Sequence, residues 1–384
     1  MRIVLLTNKK TVHDFQAEEI ELAQSMGFPF KTLWLRSFIG VVSDLPRAFW
    51  GVRDCVVGWA HLSMLILRLR MHSLRAVIRQ FTCLVEAVEI VNSQCLCSSD
   101  VVFAYWFSRA TITAYYIHLM RGNRYIVQAH GSDLFLYPPE NAKEIVRSAI
   151  GVLTISDSNK NWLSTTYELP ADAIHVFRMG ASTFVERQAL SDSFSRGAKP
   201  RNEPTRFVFA GRFEHVKGID MLVEILNQLA LVRDDWEITV AGEGSAAHSL
   251  QKLSRKAEAH VYRSGWLSPE ALWNRLRVSQ FVLLTSRSEG VPVVLMEAAA
   301  AGTIPISFDV GSVGEIIADE STGILVPPFE IEAYVRSMIA AIEMDVSRFL
   351  TMSERLRERY CSEFVLSRNL SKKWHYLANR TVHE

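Results

Sequence analysis

The chain has 384 residues, of which 49% are apolar and 22% are charged, so it is long enough to bury a sizeable core and is expected to fold as two domains. This composition excludes a disordered, collagenous or coiled-coil protein. Forty-two Lys and Arg against 41 Asp and Glu leave a net charge of +1, so no chain-wide basic field predicts a nucleic acid partner.

Short β-branched runs alternate with longer helical patterns, which is typical of parallel sheets covered by helices. In the first half, strands are predicted at 3–7, 100–105, 124–129, 151–155 and 174–177. In the second half, they are predicted at 206–210, 236–241, 260–262, 281–285, 304–307 and 323–326. The alternation predicts an α/β chain with two Rossmann-like, doubly wound domains that face a central cleft.

The segment 191–204 separates the two sets of strands. It contains one aromatic residue, two prolines and many polar residues, which is typical of a linker. We therefore expect a first domain over 1–185, a linker over 186–204 and a second domain over 205–361. The helical pattern that follows adds no strand, and it either caps one domain or returns to the first.

Neither the cysteine spacing nor the hydropathy indicates secretion. The five cysteines are odd in number, and Cys95 and Cys97 are one residue apart rather than the two of a metal or redox pair. The apolar run after Arg2 is too short for a signal peptide, and no apolar stretch approaches the roughly 20 residues of a membrane span. We expect a cytoplasmic protein whose thiols are reduced and serve packing.

One predicted helix, over 59–84, is strongly basic. It has no acidic residue and lies near three aromatic residues, Trp50, Trp59 and Phe81. Its four arginines are Arg68, Arg70, Arg75 and Arg79. Two interpretations are open, namely peripheral binding to anionic lipid headgroups at the inner membrane or the ordinary solvated face of a helix.

The strongest functional signal is 286–302 (SRSEGVPVVLMEAAAAG), which directly follows a predicted strand. Glu289 is expected in the loop at the carboxyl end of that strand, and a helix is expected to follow, with Glu297 inside it. The first backbone N–H groups of this helix, those of Val293 and Val294, would be free to bind a phosphate. Two carboxylates beside a phosphate favour a ligand rich in hydroxyl groups, such as a sugar. Alternatively, they are an ordinary loop acid and a helix-surface acid.

A second cluster, 210–218, also follows a predicted strand. Gly211 allows a tight turn. Arg212 supplies a planar guanidinium and Lys217 a compact ammonium, and both groups can reach an oxyanion. Each charge-assisted hydrogen bond of this kind contributes about 1.5–3 kcal/mol when it is shielded from water. We expect this cluster to bind a pyrophosphate, and the alternative is two solvated loop cations.

A third cluster lies in the first half, after the strand predicted at 124–129. His130 is expected to face the cleft, and Gly131 permits the close approach of a ligand. Asp133 could orient the imidazole ring or cap the next helix. A purely structural histidine is the alternative. Arg178 could face the same cleft or pair with an acid.

Several cofactor motifs are missing. The turn Gly242-Glu243-Gly244-Ser245 lacks the third glycine of a dinucleotide fingerprint, and Asn8-Lys9-Lys10 stands where a glycine loop would follow the first strand. Nicotinamide chemistry is therefore disfavoured. No Asp-x-Asp pair and no Cys-x-x-Cys pair occurs in the sequence, so no metal site is predicted.

Taken together, these motifs resemble those of the retaining glycosyltransferases of family 4, which have the GT-B fold of two Rossmann domains. Glu289 and Glu297 match the Glu-x7-Glu signature of that family, and further motif matches cover 205–345. The segment AHGSDLF at 129–135 looks like one found in bacterial exopolysaccharide and lipopolysaccharide transferases. In that family the C-terminal helix crosses back, which implies that 362–384 returns to the first domain.

The resemblance implies a role for each matching residue. Arg212 and Lys217 would hold the diphosphate of a nucleotide-sugar donor and stabilise it as it leaves. Glu297 would bind the ribose hydroxyls, while Glu289 and His130 would contact hydroxyls of the donor sugar. No metal and no cofactor would be needed, in agreement with the missing Asp-x-Asp pair. The leaving phosphate itself would take the proton of the acceptor, so no protein nucleophile would be needed.

Main-chain groups at 262–264 would meet the nucleotide base. The remaining residues that we predict to bind the donor are Gly211, Gly242, Glu243, Tyr262, Arg263, Ser264, Gly290, Val293 and Val294. The loop Asn8-Lys9-Lys10 departs from the family pattern, and the acceptor geometry is therefore left open.

Three functional hypotheses follow. The first is a retaining hexosyltransferase that uses a UDP- or GDP-sugar and a saccharide or lipid-linked acceptor in bacterial surface polysaccharide synthesis. The second is a nucleotide-sugar epimerase, which shares the fold and would convert the donor without an acceptor. The third is a non-catalytic, sugar-binding relative. The presence of both carboxylates, Glu289 and Glu297, and of both cations, Arg212 and Lys217, argues against it.

Overall fold

The computed structural model describes residues 2–7, 15–35, 60, 63, 74–93, 95–191 and 203–382. The chain divides into two compact units. The first comprises Met1–Phe177 and Leu370–Glu384, and the second comprises Arg178–Asn369. Each unit has its own buried apolar core.

Six of the described strands form a parallel sheet in the first unit, in the order β2-β1-β3-β4-β5-β6. They are β1 (Ile3–Thr7), β2 (Phe30–Trp34), β3 (Val101–Ala104), β4 (Tyr125–Ala129), β5 (Gly151–Thr154) and β6 (Ile174–Val176). The five strands predicted for this half are confirmed to within two residues at either end. The order reverses between β1 and β3, which makes the sheet doubly wound.

Strand β2 was not predicted from the sequence. It lies at the edge of the sheet, pairs only with β1 and is partly exposed along its whole length. Its five residues, FKTLW, include one β-branched side chain and a lysine. A half-exposed edge strand does not need a continuous apolar run, so the sequence pattern does not mark it as a strand.

Helices cover the first sheet. They are α1 (Phe15–Ser25), α2 (Leu74–Asn92), α3 (Arg109–Arg121), α4 (Ser132–Phe135), α5 (Ala142–Ser148) and α6 (Asp157–Tyr167). Helix α2 buries Leu84, Ala87, Val88 and Val91, which recur every three or four residues and so share one face. This helix extends beyond the end predicted at 84, because its apolar repeat continues to Val91.

The second unit holds the other six described strands, in the order β12-β11-β10-β7-β8-β9. They are β7 (Thr205–Ala210), β8 (Trp236–Ala241), β9 (Val261–Gly265), β10 (Phe281–Leu284), β11 (Ile304–Phe308) and β12 (Ile324–Val326). All neighbours are parallel. This is the strand order of a dinucleotide-binding Rossmann domain, and the six predicted strands of this half are confirmed.

Helices also flank the second sheet. They are α7 (Thr183–Ala189), α8 (Ile219–Val232), α9 (Arg255–Glu258), α10 (Pro269–Val278), α11 (Val293–Ala301), α12 (Ile331–Glu343) and α13 (Val346–Glu363). Several begin at sequence-encoded caps. Before α10, the Ser268 side chain accepts a hydrogen bond from the Ala271 N–H and Pro269 occupies the first helical position.

The unit boundaries differ from those expected for the domains, at 185 and 362. Helix α7 buries Val185 and Ala189 in the core of the second unit. Arg178 pairs with Glu363 (Nε–Oε2, 3.3 Å) and Glu315 (3.6 Å) of that unit. The chain therefore joins the second unit before the predicted linker, whose residues 192–202 lie outside the described ones.

The last helix, α14 (Leu366–Val382), begins in the second unit, and its residues from Leu370 onward group with the first. Trp374 is buried there and stacks on Phe30, with ring centroids 4.4 Å apart. No described helix combines the length and the apolar character needed to cross a membrane.

Four cysteines lie within the described residues, and all four are free thiols. Cys83 is buried in α2, and burial raises the pKa of its thiol to about 12. Cys97 is exposed, so the prediction that these cysteines serve packing is wrong at that position.

Candidate active site

The central feature of the second unit is an ion pair between Lys217 and Glu289. The Lys217 ammonium lies 2.7 Å from Oε1 of Glu289, whose side chain is 7% exposed. The Ser286 hydroxyl donates to the same carboxylate oxygen. Lys217 follows β7 and Glu289 follows β10, the adjacent strands at which the order of the sheet reverses. Open α/β sheets bind their ligands at this point.

A short turn of helix, His215–Lys217, places the lysine and ends at Gly218, whose φ is +65°. The Thr285 hydroxyl donates to the carbonyl oxygens of Lys217 (3.2 Å) and Gly218 (3.1 Å). A Cβ atom at Gly218 would lie 2.0 Å from the Thr285 carbonyl oxygen. Glycine is therefore required both by its backbone conformation and by the neighbouring chain.

The Glu289 loop is held from its other side by Gly311, which has a φ of +59°. A Cβ atom at Gly311 would lie 1.9 Å from the Glu289 carbonyl oxygen, and the Ser312 N–H donates to the Gly290 carbonyl at 3.3 Å. The backbone on either side of Glu289 is thus fixed by close packing, which keeps its carboxylate on Lys217.

Arg287 joins the same two loops. It donates through both terminal nitrogens to Asp220 (2.9 and 2.6 Å) and to the His215 carbonyl oxygen (2.8 Å). The Arg287 hydrogen bonds lower the pKa of the Asp220 carboxyl below its usual value. Sequence reasoning missed Ser286 and Arg287, although both stand within three residues after strand β10 and within three residues before Glu289.

Arg212 lies in the loop after β7, as predicted, and is exposed. Within the described part of the chain its guanidinium forms neither an ion pair nor a hydrogen bond. Gly211 precedes it, and a Cβ atom there would meet nothing within 4 Å. Arg212 is therefore an exposed arginine in the same loop as Lys217, and the backbone at Gly211 has open space next to it.

The turn after β8 packs directly on this loop. Gly242 has a φ of +144°, and a Cβ atom there would lie 1.9 Å from the Gly211 carbonyl oxygen. Gly244 has a φ of +148°, and its Cβ would lie 2.5 Å from the Phe213 carbonyl oxygen. The Glu243 carbonyl accepts from the Phe213 N–H at 2.7 Å, while its side chain is exposed. The Gly-Glu-Gly sequence thus supports the first loop.

Helix α11 begins at Val293, after Pro292, as predicted. The Leu295 N–H donates to the Pro292 carbonyl, whereas the N–H groups of Val293 and Val294 donate no hydrogen bond among the described residues. Glu297 lies about one turn further along. These two N–H groups and the Glu297 carboxyl are available to a ligand at the end of β10.

Burial raises the pKa of the Glu297 carboxyl to about 7. Since an unfolded glutamate has a pKa near 4.3, the folded protein retains a proton between about pH 4.3 and 7 that the unfolded chain loses. Stability therefore falls as the pH rises through this window. A carboxylate that is costly to ionise needs hydrogen-bond donors, which ligand hydroxyls can supply.

We expect Glu297→Gln to melt at the same temperature as the wild type near pH 4.5 and at a higher temperature at pH 8. The gain in unfolding free energy at pH 8 is at most about 4 kcal/mol, because the variant has no buried carboxylate to ionise. Thermal unfolding at both pH values measures it, with the exposed Glu320→Gln as control. A difference in melting temperature between Glu297→Gln and the wild type that is the same at both pH values would contradict the raised pKa of Glu297.

Strand β9 is longer than predicted, and this changes the interpretation of 262–264. It runs to Gly265, with an irregularity opposite Val240 and Ala241, so Arg263 and Ser264 are strand residues rather than loop residues. Gly265 has a φ of +68° and accepts the Gly242 N–H on its carbonyl. The loop at the carboxyl end therefore starts after Gly265.

Two side chains of β9 contact neighbouring residues of the second unit. Tyr262, 61% exposed, lies under the Arg275 guanidinium at 5.9 Å, where both line a cleft of about 490 Å³ at the amino end of the sheet. Arg263 pairs with Glu258 at 2.6 Å. The contact predicted between 262–264 and the nucleotide base is a main-chain one, and it stays a prediction.

In the first unit, His130 follows β4 and is buried. Its ring lies against Trp106 and Tyr105, with centroids 4.5 and 5.0 Å away. Nε2 is 3.1 Å from the Gln128 amide nitrogen, and Nδ1 is 3.5 Å from Oδ2 of Asp133. Both ring nitrogens thus meet protein groups.

Asp133 lies inside helix α4, faces the His130 ring and holds the turn that precedes the helix. It accepts hydrogen bonds from the backbone N–H groups of His130 (3.0 Å), Gly131 (2.8 Å) and Phe107 (3.0 Å). Burial would raise the pKa of its carboxyl, but His130 and these N–H groups lower it below the usual value. An ionised Asp133 therefore orients the imidazole and the turn at the same time.

Other predicted positions fall partly outside the described residues. The loop Asn8-Lys9-Lys10 lies outside them, as do Arg68 and Arg70. Arg75 is exposed on α2, whereas Arg79 pairs with Glu140 at 2.5 Å and is engaged within the first unit.

Comparison with known proteins agrees with the geometry of the second unit. Residues 192–359 match the model of the family described as Glycosyl transferases group 1. Those residues form a glycosyl transferases group 1 domain. Lys217, Glu289 and Glu297 lie inside this domain, and His130 lies outside it.

Two curated proteins illustrate the relationship. An alpha-D-kanosaminyltransferase of Streptomyces kanamyceticus is 27% identical over 241 residues, 56% of this chain and 61% of that protein. A lipopolysaccharide 1,2-N-acetylglucosaminetransferase of Salmonella typhimurium is 24% identical over 207 residues, 50% of this chain and 52% of that protein. The chain spans about half the length of the curated relatives it matches.

Solved structures extend the likeness to both units. A glycosyltransferase from Rickettsia africae superposes with a TM-score of 0.71 at 16% identity and covers 100% of this chain and 99% of its own. A lipopolysaccharide outer core galactosyltransferase superposes at 0.68 and 17% identity, covering 97% and 98%. The predicted fold, two parallel-sheet Rossmann-like domains of the GT-B type, is confirmed.

Proposed function

We propose that this protein is a retaining glycosyltransferase that transfers a hexose from a nucleotide-diphosphate sugar, with UDP- or GDP-sugars as the first candidates. The observation that carries the proposal is the Lys217–Glu289 pair at the reversal point of the second sheet, beside the start of helix α11. This arrangement combines a cation for a diphosphate with carboxylates for sugar hydroxyls.

The cations act on the leaving group. When the bond between the sugar C1 and the diphosphate oxygen breaks, negative charge grows on the departing phosphate. Lys217, which Glu289 holds in place before the reaction begins, and Arg212 of the same loop stabilise that charge. The acceptor oxygen forms the new bond to C1, and its proton goes to the departing phosphate oxygen, so no protein nucleophile is required.

The ion pair also explains how Glu289 is kept available. Without a donor, its nearly buried carboxylate is neutralised by Lys217 and held by Ser286. A bound diphosphate competes for the lysine, which leaves the carboxylate to accept hydrogen bonds from sugar hydroxyls. Glu297, whose pKa burial raises, gains hydrogen bonds from the ribose in the same step.

The acceptor is proposed as a saccharide or lipid-linked saccharide of a bacterial surface polysaccharide. The support is the segment AHGSDLF around His130 and the likeness to lipopolysaccharide transferases. His130 is assigned to a hydroxyl of the donor sugar, which requires one ring nitrogen to exchange its contact with Gln128 or Asp133 for that hydroxyl. Contact with a membrane surface remains a proposal, with exposed Arg75 as a contributor and Arg79 already engaged by Glu140.

A thermal-shift screen with UDP-, GDP- and ADP-sugars tests donor binding. We expect one class of nucleotide-sugar to raise the melting temperature, by an amount that grows with its concentration, because it binds only the folded chain. We propose that no metal is needed, so the shift should persist in excess EDTA. No shift with any nucleotide-sugar at millimolar concentration would contradict the proposal.

Product analysis separates transfer from the two alternatives. The nucleotide-sugar that binds is incubated with and without saccharide acceptors. Conversion of the donor without acceptor would favour an epimerase, and binding with neither conversion nor transfer would favour a sugar-binding relative. Release of the nucleoside diphosphate that depends on acceptor supports transfer.

A further inference from the structure

A chain of buried polar side chains in the first unit leads from the C-terminal helix to His130. Lys373 of α14 is 2% exposed and donates to Glu19 of α1 and, at 3.3 Å, to the side-chain oxygen of Gln128. The Tyr105 hydroxyl donates to the other oxygen of Glu19. The amide nitrogen of Gln128 lies 3.1 Å from His130 Nε2.

The charge on Lys373 determines which way the Gln128 amide points. An ammonium group only donates hydrogen bonds, so the amide oxygen must face Lys373 and the amide nitrogen must face His130. An amide nitrogen also only donates. His130 Nε2 must therefore accept, and the proton of the neutral imidazole lies on Nδ1, toward Asp133.

Stability alone is a weak explanation for this arrangement. Burial lowers the pKa of Lys373 well below its usual value, and the Glu19 carboxylate in contact with the amino group opposes this by favouring the ammonium. Replacing a buried ion pair by apolar residues of similar size is often neutral or stabilising. The rings of Tyr105 and Phe103 lie 5.2 and 5.9 Å from the ammonium and partly compensate for its lost water.

We propose that Lys373 and Glu19 are positioning residues that set the tautomer and ring orientation of His130 through Gln128. The helix that begins in the second unit then contributes to the site of the first. The effect on transfer rests on the proposed function, whereas the effect on the imidazole does not.

The test uses the full chain labelled with ¹⁵N in the histidine rings, with the His130 signal identified by its loss in His130→Asn. In the wild type we expect a protonated Nδ1 and an unprotonated Nε2. In Lys373→Met the amide is free to turn, so both tautomers should appear. We further expect kcat for transfer to fall about 10- to 100-fold, with KM changed less than threefold.

Two further variants keep the test decisive. Lys372→Met, exposed and adjacent on the same helix, should leave the His130 signal and kcat unchanged. Gln128→Glu keeps the ammonium but offers only acceptor oxygens, so Nε2 should become protonated even if Lys373→Met fails to fold.

Each outcome is informative. If the His130 tautomer is the same in the wild type, Lys373→Met and Gln128→Glu, the positioning role is wrong. If the tautomer changes as expected and the wild type transfers no sugar, the positioning role stands and the proposed function fails.

Discussion

Replacing Lys217 with methionine is expected to lower kcat for sugar transfer about 10²- to 10³-fold, the usual cost of removing one preorganised group that stabilises transition-state charge. Lys217 is the cation that we propose to hold the donor diphosphate, and its ammonium lies 2.7 Å from Glu289 before any donor binds. Steady-state kinetics with a saturating nucleotide-sugar and acceptor measures the effect.

The same substitution leaves the Glu289 carboxylate nearly buried without its cation, which lowers stability as well. The double variant Lys217→Met with Glu289→Gln removes both charges and should recover melting temperature while activity stays low. Lys252→Met, an exposed lysine of the same unit, is the matched control and should behave as wild type. More than about a third of the wild-type kcat in Lys217→Met would mean that this lysine does not stabilise the leaving group.

Gly242→Ala is expected to destabilise the second unit by about 3 kcal/mol, which corresponds to roughly 6–12 °C in melting temperature for a unit of this size. The added Cβ would lie 1.9 Å from the Gly211 carbonyl oxygen, and the φ of +144° is strained for any residue with a side chain. The turn after β8 must move away from the loop that carries Arg212.

Gly211→Ala is the matched control, because it stands across the same contact but has open space where its Cβ would lie. It should change stability by no more than about 0.5 kcal/mol, as for ordinary surface substitutions. Differential scanning calorimetry compares the two variants. Equal melting temperatures would show that the two loops adapt without cost.

Most of the fold could be predicted because parallel strands buried on both faces have a strong local pattern. Phe281–Leu284 (FVLL) is a continuous apolar run, and Ile304–Phe308 (IPISF) is apolar except for Ser307. Edge strands lack this pattern. Phe30–Trp34 was therefore missed, and Val261–Gly265 was predicted too short, since an edge strand needs an apolar residue only where one face is covered.

For the candidate site, residue types could be predicted but partners could not. Glu289 and Lys217 were recognised as an acid and a base after two strands. Their separation of 72 residues conceals the fact that they form one ion pair, which exists because β7 and β10 are adjacent. Arg178 illustrates the same limit, since its pairing with Glu363 depends on where α13 ends.

The sequence by itself determined the two-domain α/β class, the helix that starts after Pro292, and the glycines at turns, since all of these depend on short-range patterns and backbone conformation. The tertiary structure decided which side chains meet. It paired Lys217 with Glu289 and connected Lys373 to His130 through Gln128, across 245 residues between lysine and glutamine. Such contacts follow from strand order and helix docking, which no local stretch of sequence encodes.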